Sequence, residues 1–207
     1  MNIMPTIELP LFPLNVVVFP EGILPLRIFE TRYLDMVKSC LRDNTDFGVV
    51  AVVQHEKLDD SKLPFANVGT NFSIESADVS EVGMINICCR GQHRFKINAA
   101  KQQRDGLWVG EITKISNDAL MSIPDDLKIT QEYLKQLIDS FSEQKIEEAF
   151  LPFTKPHHIE DCAWVANRWC EILNIPLIQK QRMLELDSPL IRLELIHDLL
   201  TAEFTKN

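Results

Sequence analysis

Five of the 11 prolines fall within the first 25 residues: Pro5, Pro10, Pro13, Pro20 and Pro25. Proline fixes φ and removes an N–H donor, so this stretch cannot run as a helix, nor throughout as a central strand. Its pattern predicts short extended pieces broken by turns, at Ile7–Leu11, Val16–Phe19 and Leu24–Ile28. A single helix follows. Tyr33, Met36, Val37, Cys40 and Leu41 fall at i, i+3, i+4, i+7 and i+8, which makes one buried stripe, and Asp43 with Asn44 suits its end.

The apolar run Phe47–Val53, rich in β-branched residues, reads as a buried strand. The polar stretch His55–Ala66 reads as a surface loop. Further strands are predicted at Val68–Ser76, Met84–Arg90, His93–Ala99 and Leu107–Ile115. Gly91-Gln92 is taken as the break between the second and third of these. Asp105-Gly106 is taken as a two-residue hairpin turn with both residues at positive φ.

Near residue 118 the period changes. From Leu127 onward it is helical: Leu134, Leu137, Ile138 and Phe141 form one stripe, and Cys162, Val165, Ala166, Trp169, Cys170 and Leu173 a second. Pro176–Leu186 suits a third helix. Ser188 is a good N-cap for a fourth, with Pro189 at its first position and Leu190, Leu193, Ile196, Leu200 and Phe204 along it. The expected organisation is therefore α+β: a mostly β domain over 1–118 with one helix, then a helical subdomain over 119–207, joined through Asp118–Asp126.

Charge limits the partners. Lys and Arg number 21 against 30 Asp and Glu, a net charge of −9. Residues 1–118 carry 12 basic and 15 acidic side chains, residues 119–207 carry 9 and 15, and no two basic residues are adjacent. Nothing here supplies the phosphate-neutralising patch of a nucleic-acid or anionic-membrane binder. No apolar run approaches the ~18 residues of a membrane helix, and no basic n-region precedes Arg27. Five cysteines, an odd number, argue against a complete disulfide framework. A soluble cytoplasmic protein is expected.

Chemistry is sparse. The seven glycines form no GxxxxGK[ST] or GxGxxG phosphate loop, and there is neither a GxSxG elbow nor an HExxH pair. Cys88 or Cys89 with His93 would be the candidate thiol nucleophile, and His157, His158 and Cys162 the candidate metal cluster. The first lacks an orienting third group and the second a fourth ligand. The expectation is no catalytic residue, no metal and no cofactor. Cys88 and Cys89 should simply alternate faces of a strand. Trp169 lies in a helix stripe and reads as core, whereas Trp164 falls off it, so that it either packs on the β domain or is exposed.

The sharpest signal is LPLFPLNVVVFP from Leu9 to Pro20, continued by LPLRIFETRY from Leu24 to Tyr33 and FGVV from Phe47 to Val50. These runs resemble the N-terminal substrate-binding domain of the Lon proteases. VGT at Val68–Thr70 and GQHRF at Gly91–Phe95 stand where that family has them. KQRMLELDSPLIR at Lys180–Arg192 is similar to the helical end of its stand-alone members. The resemblance implies a PUA-like β pseudo-barrel with one inserted helix, followed by a helical bundle. It also implies recognition of unfolded or partly folded polypeptides. Lon's ATPase and Ser-Lys peptidase modules have no counterpart in these 207 residues, so binding without hydrolysis is expected. Arg27, Glu30, Arg32, Tyr33, Arg94 and Trp164 are the candidate binding or signature residues. Arg27, Glu30 and Arg32 read either as an ion-pair cluster bracing the first helix or as the polar rim of a peptide groove. Gly48, Gly69 and Gly91 read as points of tight backbone approach. An adaptor that binds a folded partner or a second copy of itself, and a small thiol or metal enzyme, are the competing readings.

Overall fold

The computed structural model describes residues 6–53, 63–144, 151 and 154–204. It divides into two compact units, Met1–Asn117 and Asp118–Asn207.

The first unit is a six-stranded sheet with one helix. Its elements are β1 (Ile7–Leu14), β2 (Ile23–Ile28), α1 (Thr31–Asp43), β3 (Phe47–Ala51), β4 (Val68–Glu81), β5 (Met84–Gln102) and β6 (Trp108–Lys114). The strand order is β2-β5-β4-β3-β1-β6, and β6 also pairs with β5, so five strands close into a pseudo-barrel and β2 stands at the edge. β1 runs through Pro10 and Pro13, longer than their presence suggests. It can do so because β6 borders Ile7–Leu11 while β3 borders Leu11–Leu14; each proline is paired on one side only. Val16–Phe19 joins no ladder, yet Val17, Val18 and Phe19 are buried, and Thr70 Oγ1 donates to the Val18 carbonyl at 2.6 Å.

Gly91-Gln92 does not break the sheet. β5 is one continuous 19-residue strand, against the prediction of two. The glycine serves as a docking point: a Cβ at Gly91 would lie 2.6 Å from the Phe19 carbonyl oxygen, and the Gly91 N–H donates to the Gly22 carbonyl at 2.9 Å. Asp105-Gly106 also differs from expectation. Only Gly106 has positive φ (86°), and the Gly106 N–H donates to the Gln103 carbonyl. This is a three-residue hairpin loop ending in a left-handed glycine, with Asp105 Oδ1 accepting from the Leu107 N–H at 2.9 Å.

α1 buries Tyr33, Met36, Val37 and Cys40 as the spacing requires, but Leu41 is 47% exposed and lies outside the stripe. Asn44 ends the helix in the left-handed conformation. Of the expected loop His55–Ala66, residues 54–62 lie outside the described residues. Its end departs from a surface reading: Phe65 and Ala66 are buried, and Phe65 bridges to Val52. The apolar core forms two clusters. One gathers around Phe47, Phe72 and the inner face of α1, the other around Leu11, Phe95 and Ile112. Phe95 sits where Gly48 and Gly69 leave room; a Cβ at Gly48 would lie 2.6 Å from its ring.

The second unit holds a 3₁₀ turn (Asp125–Leu127), α2 (Lys128–Glu143), α3 (Cys162–Ile172), α4 (Leu177–Glu185) and α5 (Pro189–Phe204). Asp161 caps α3 by accepting from the Trp164 N–H, and Ser188 Oγ accepts from the Ile191 N–H at the start of α5. Asp118–Asp126 is no free joint. Asp118 pairs with Arg192 at 2.9 Å, Ser122 bridges to Asp161, and Ile123 is buried. Trp164 departs from its helical-wheel position: every residue from Cys162 to Cys170 is buried, so α3 has no outer face. The Trp164 ring lies 5.9 Å from the His157 ring and 5.7 Å from the Arg168 guanidinium carbon.

Candidate functional site

Three of the six candidate residues meet at the start of α1. Glu30 is the N-cap residue, although its side chain caps nothing. It accepts from Arg32 Nη2 at 2.7 Å, and Arg32 Nη1 donates to the Gly106 carbonyl at 3.1 Å. The guanidinium carbon stands 4.8 Å from the Tyr33 ring centre, and that ring stacks on Phe12 at 3.9 Å. Burial pushes the Tyr33 hydroxyl pKa up, with the Arg32 charge opposing it. Arg32 thus straps the β5–β6 turn to the helix start, and only Glu30 and Arg32 remain partly exposed.

The other three lie elsewhere. Arg27 is on β2 opposite Asn86, and its Nε donates to Met84 Sδ at 2.8 Å. Arg94 is buried on β5 opposite Thr70; eight residues of strand, about 26 Å of extended chain, separate it from Asn86. Trp164 belongs to the helical unit.

Among the described residues, β2 has a strand partner on one side only. β2 is the terminal strand of the sheet. The bond from the Gly91 N–H to the Gly22 carbonyl sets the phase of its ladder. In an antiparallel pair, bonded and non-bonded positions alternate. Leu24, Leu26 and Ile28 therefore turn their backbone groups toward β5, while Ile23, Pro25 and Arg27 turn theirs outward. Pro25 costs no ladder bond in that position. Just past the strand, Phe29 is 66% exposed. The sequence reading missed Phe29. The signal was available: Leu24, Leu26 and Ile28 alternate inward, which points Phe29 outward.

The candidate nucleophiles are poorly placed for chemistry. Burial raises every thiol above its ordinary pKa, Cys89 and Cys170 to about 12 and Cys162 to about 11. Cys40 and Cys88 are also raised. A thiol so shifted carries little thiolate at neutral pH. Burial, then Lys114, holds His93 below its usual pKa. Cys162 is buried in α3 and the His157 ring lies against Trp164. Among the described residues no group of three or more His, Cys, Asp or Glu could hold a metal ion, and no helix is long and apolar enough to cross a membrane.

Comparison with known proteins gives a consistent answer. Residues 8–202 match the family model described as the ATP-dependent protease La (LON) substrate-binding domain. The Lon protease of Anaeromyxobacter dehalogenans is 25% identical over 204 residues, covering 94% of this chain and 23% of that protein. Lon protease 2 of Myxococcus xanthus is 26% identical, covering 94% and 24%. The chain thus spans about a quarter of the length of the curated relatives it matches. A Lon N-terminal domain protein from Xanthomonas campestris superposes with a TM-score of 0.74 at 29% identity, covering 94% of this chain and 98% of that one. The N-terminal domain of the Mycobacterium avium complex Lon protease shares the fold, with a TM-score of 0.61 at 16% identity, covering 92% and 96%.

Proposed function

The chain belongs to the Lon substrate-binding domain family, and from that membership we propose that it binds unfolded or partly folded polypeptides without hydrolysing them. The observation that carries this reading is the match of a substrate-binding family model to residues 8–202, nearly the whole sequence. A physical means is at hand in the β unit. An extended client segment adds to the outer edge of β2, where the Ile23 amide and the Ile23 and Pro25 carbonyls face outward. The exposed Phe29 ring takes an apolar client side chain beside it. Backbone pairing is indifferent to sequence and an apolar contact nearly so, which suits clients that share little but their unfolded state. Glu30 and Arg32 form the polar margin.

The raised thiol pKa values support binding over thiol chemistry in this unit. Five free cysteines suit a reducing compartment, and the reading places the protein in the cytoplasm. Affinity is modest, because a client loses conformational freedom on docking. Fluorescence anisotropy with one labelled model protein, native or reduced and denatured, tests the proposal. The denatured form binds, moderate salt changes its affinity little, and Phe29→Asp weakens it. No binding at about micromolar concentration, or equal binding of the native form, overturns the reading.

A further inference from the structure

α5 is apolar on two sides. Leu193, Ile196 and Leu200 face the interior of the helical unit, yet Ile191 and Leu195, one turn apart, remain 48% and 40% exposed. A helix that is apolar all round is normally covered all round. Beside this second stripe, α4 and α5 enclose a groove of about 430 Å³ whose walls include Met183 and Leu186 on one bank and Leu195 and Leu199 on the other.

Its charges decide what fits. Arg182 lines the α4 bank and Asp198 the α5 bank. Arg182 is exposed and, among the described residues, has no hydrogen bond or ion pair. Asp198 is 82% exposed and meets only the neighbouring His197, at 3.8 Å. Among the described residues, the groove thus has an unpaired cation on one side and, on the other, an anion whose ion-pair partner is the neighbouring His197. A basic peptide matches only Asp198, and an acidic one only Arg182. A second copy turned about a two-fold axis across the groove matches both: each Arg182 meets the other copy's Asp198, and the two Ile191–Leu195 stripes cover each other. Such reciprocity is the defining property of a two-fold interface.

We propose that the α4–α5 face is the interface of a symmetric homodimer, held by the paired apolar stripes of α5 and fixed in register by two reciprocal Arg182–Asp198 ion pairs. The interface lies in the helical unit, whereas the β2 edge belongs to the β unit.

Sedimentation equilibrium on the full chain, over about 1–200 μM so that mass action can reveal the association, tests this with three variants. Wild type dimerises with rising concentration. Leu195→Glu sediments as a monomer with an unchanged far-UV spectrum. Arg182→Asp and Asp198→Arg each weaken association about tenfold or more, because each puts two like-charged pairs across the axis. Mixing these two variants restores the dimer, since every contact between them is again of opposite sign. A wild type that stays monomeric throughout overturns the proposal. So do a dimer indifferent to Leu195→Glu and a mixture of the two charge variants that stays apart.

Discussion

The two units meet the same requirement, a partner for every buried backbone group, in different ways. In the β unit the sheet closes on itself through β5 and β6, so the ladders satisfy most of the backbone. Its largest fully buried side chains are aromatic or aliphatic: Phe19, Phe47, Phe72 and Phe95 among them. The helical unit has helix ends instead, each leaving carbonyls without intrahelical partners. Cations fill that role. Arg192, 1% exposed, donates to the Met183 carbonyl at 3.0 Å and the Leu186 carbonyl at 2.7 Å at the end of α4. The same guanidinium reaches Asp118 Oδ2 and Asn167 Oδ1. Lys180 Nζ donates to the Glu171 carbonyl near the end of α3. The closed sheet buries Arg94 but satisfies its backbone through ladders, whereas the packed short helices use cations at their ends, and the two cores should fail under different insults.

The largest expected effect is therefore in the helical unit. Arg192→Ala removes a buried guanidinium shared by Asp118, Asn167 and the Met183 and Leu186 carbonyls, and costs about 5 kcal/mol, the upper end for a broken buried ion pair. Urea titration measures it. A loss below about 1 kcal/mol, the scale of a surface pair, would show that the guanidinium does not organise this unit.

Next come the tryptophans. Trp164 and Trp169 are 3% and 6% exposed, so each change to Ala costs about 3–5 kcal/mol. Helical spacing alone predicts a much smaller loss at Trp164, and urea melts of the pair distinguish the two.

In the β unit the sensitive points are those where nothing more can fit. Gly48→Ala drives a methyl into the Phe95 ring and costs about 1–3 kcal/mol by overpacking. Calorimetry should show a lowered Tm for this variant and, once Phe95→Leu is added, a loss smaller than the sum of the two single losses.

The smallest effect is pH dependence. His93 is held neutral by burial, with its folded pKa below the unfolded value of about 6.5. Its contribution is fully present above that unfolded value and is lost as the pH falls through the lower folded one. His93→Gln should flatten this part of the stability profile, read by thermal melts between pH 7 and 5. An unchanged profile would move the acid sensitivity to other groups.

Local signals were legible and long-range ones were not. The α1 stripe and the Ser188 cap depend on neighbours within a few positions, and the structure bears them out except at Leu41, which is exposed. The continuity of β5 through Gly91 depends on Phe19, which is 72 positions away in sequence and sits against it. Trp164 fell off its stripe on a helical wheel because a wheel assumes one outer face and α3 has none. Arg192 carries no sequence signal for its role, since its four partners come from three separate segments, around Asp118, in α3 and at the end of α4. At the candidate site Glu30, Arg32 and Tyr33 cluster as neighbours in sequence must. The outward phase of β2 follows only once its partner strand is known.

Hydrogen exchange of the full chain, at fixed protein concentration with and without a reduced, denatured client, tests the central claim most directly. The account predicts that the client slows exchange along β2 in the β unit, at the outward amide of Ile23, and leaves Leu177–Phe204 unchanged. Protection confined to Leu177–Phe204, or none anywhere, would contradict it.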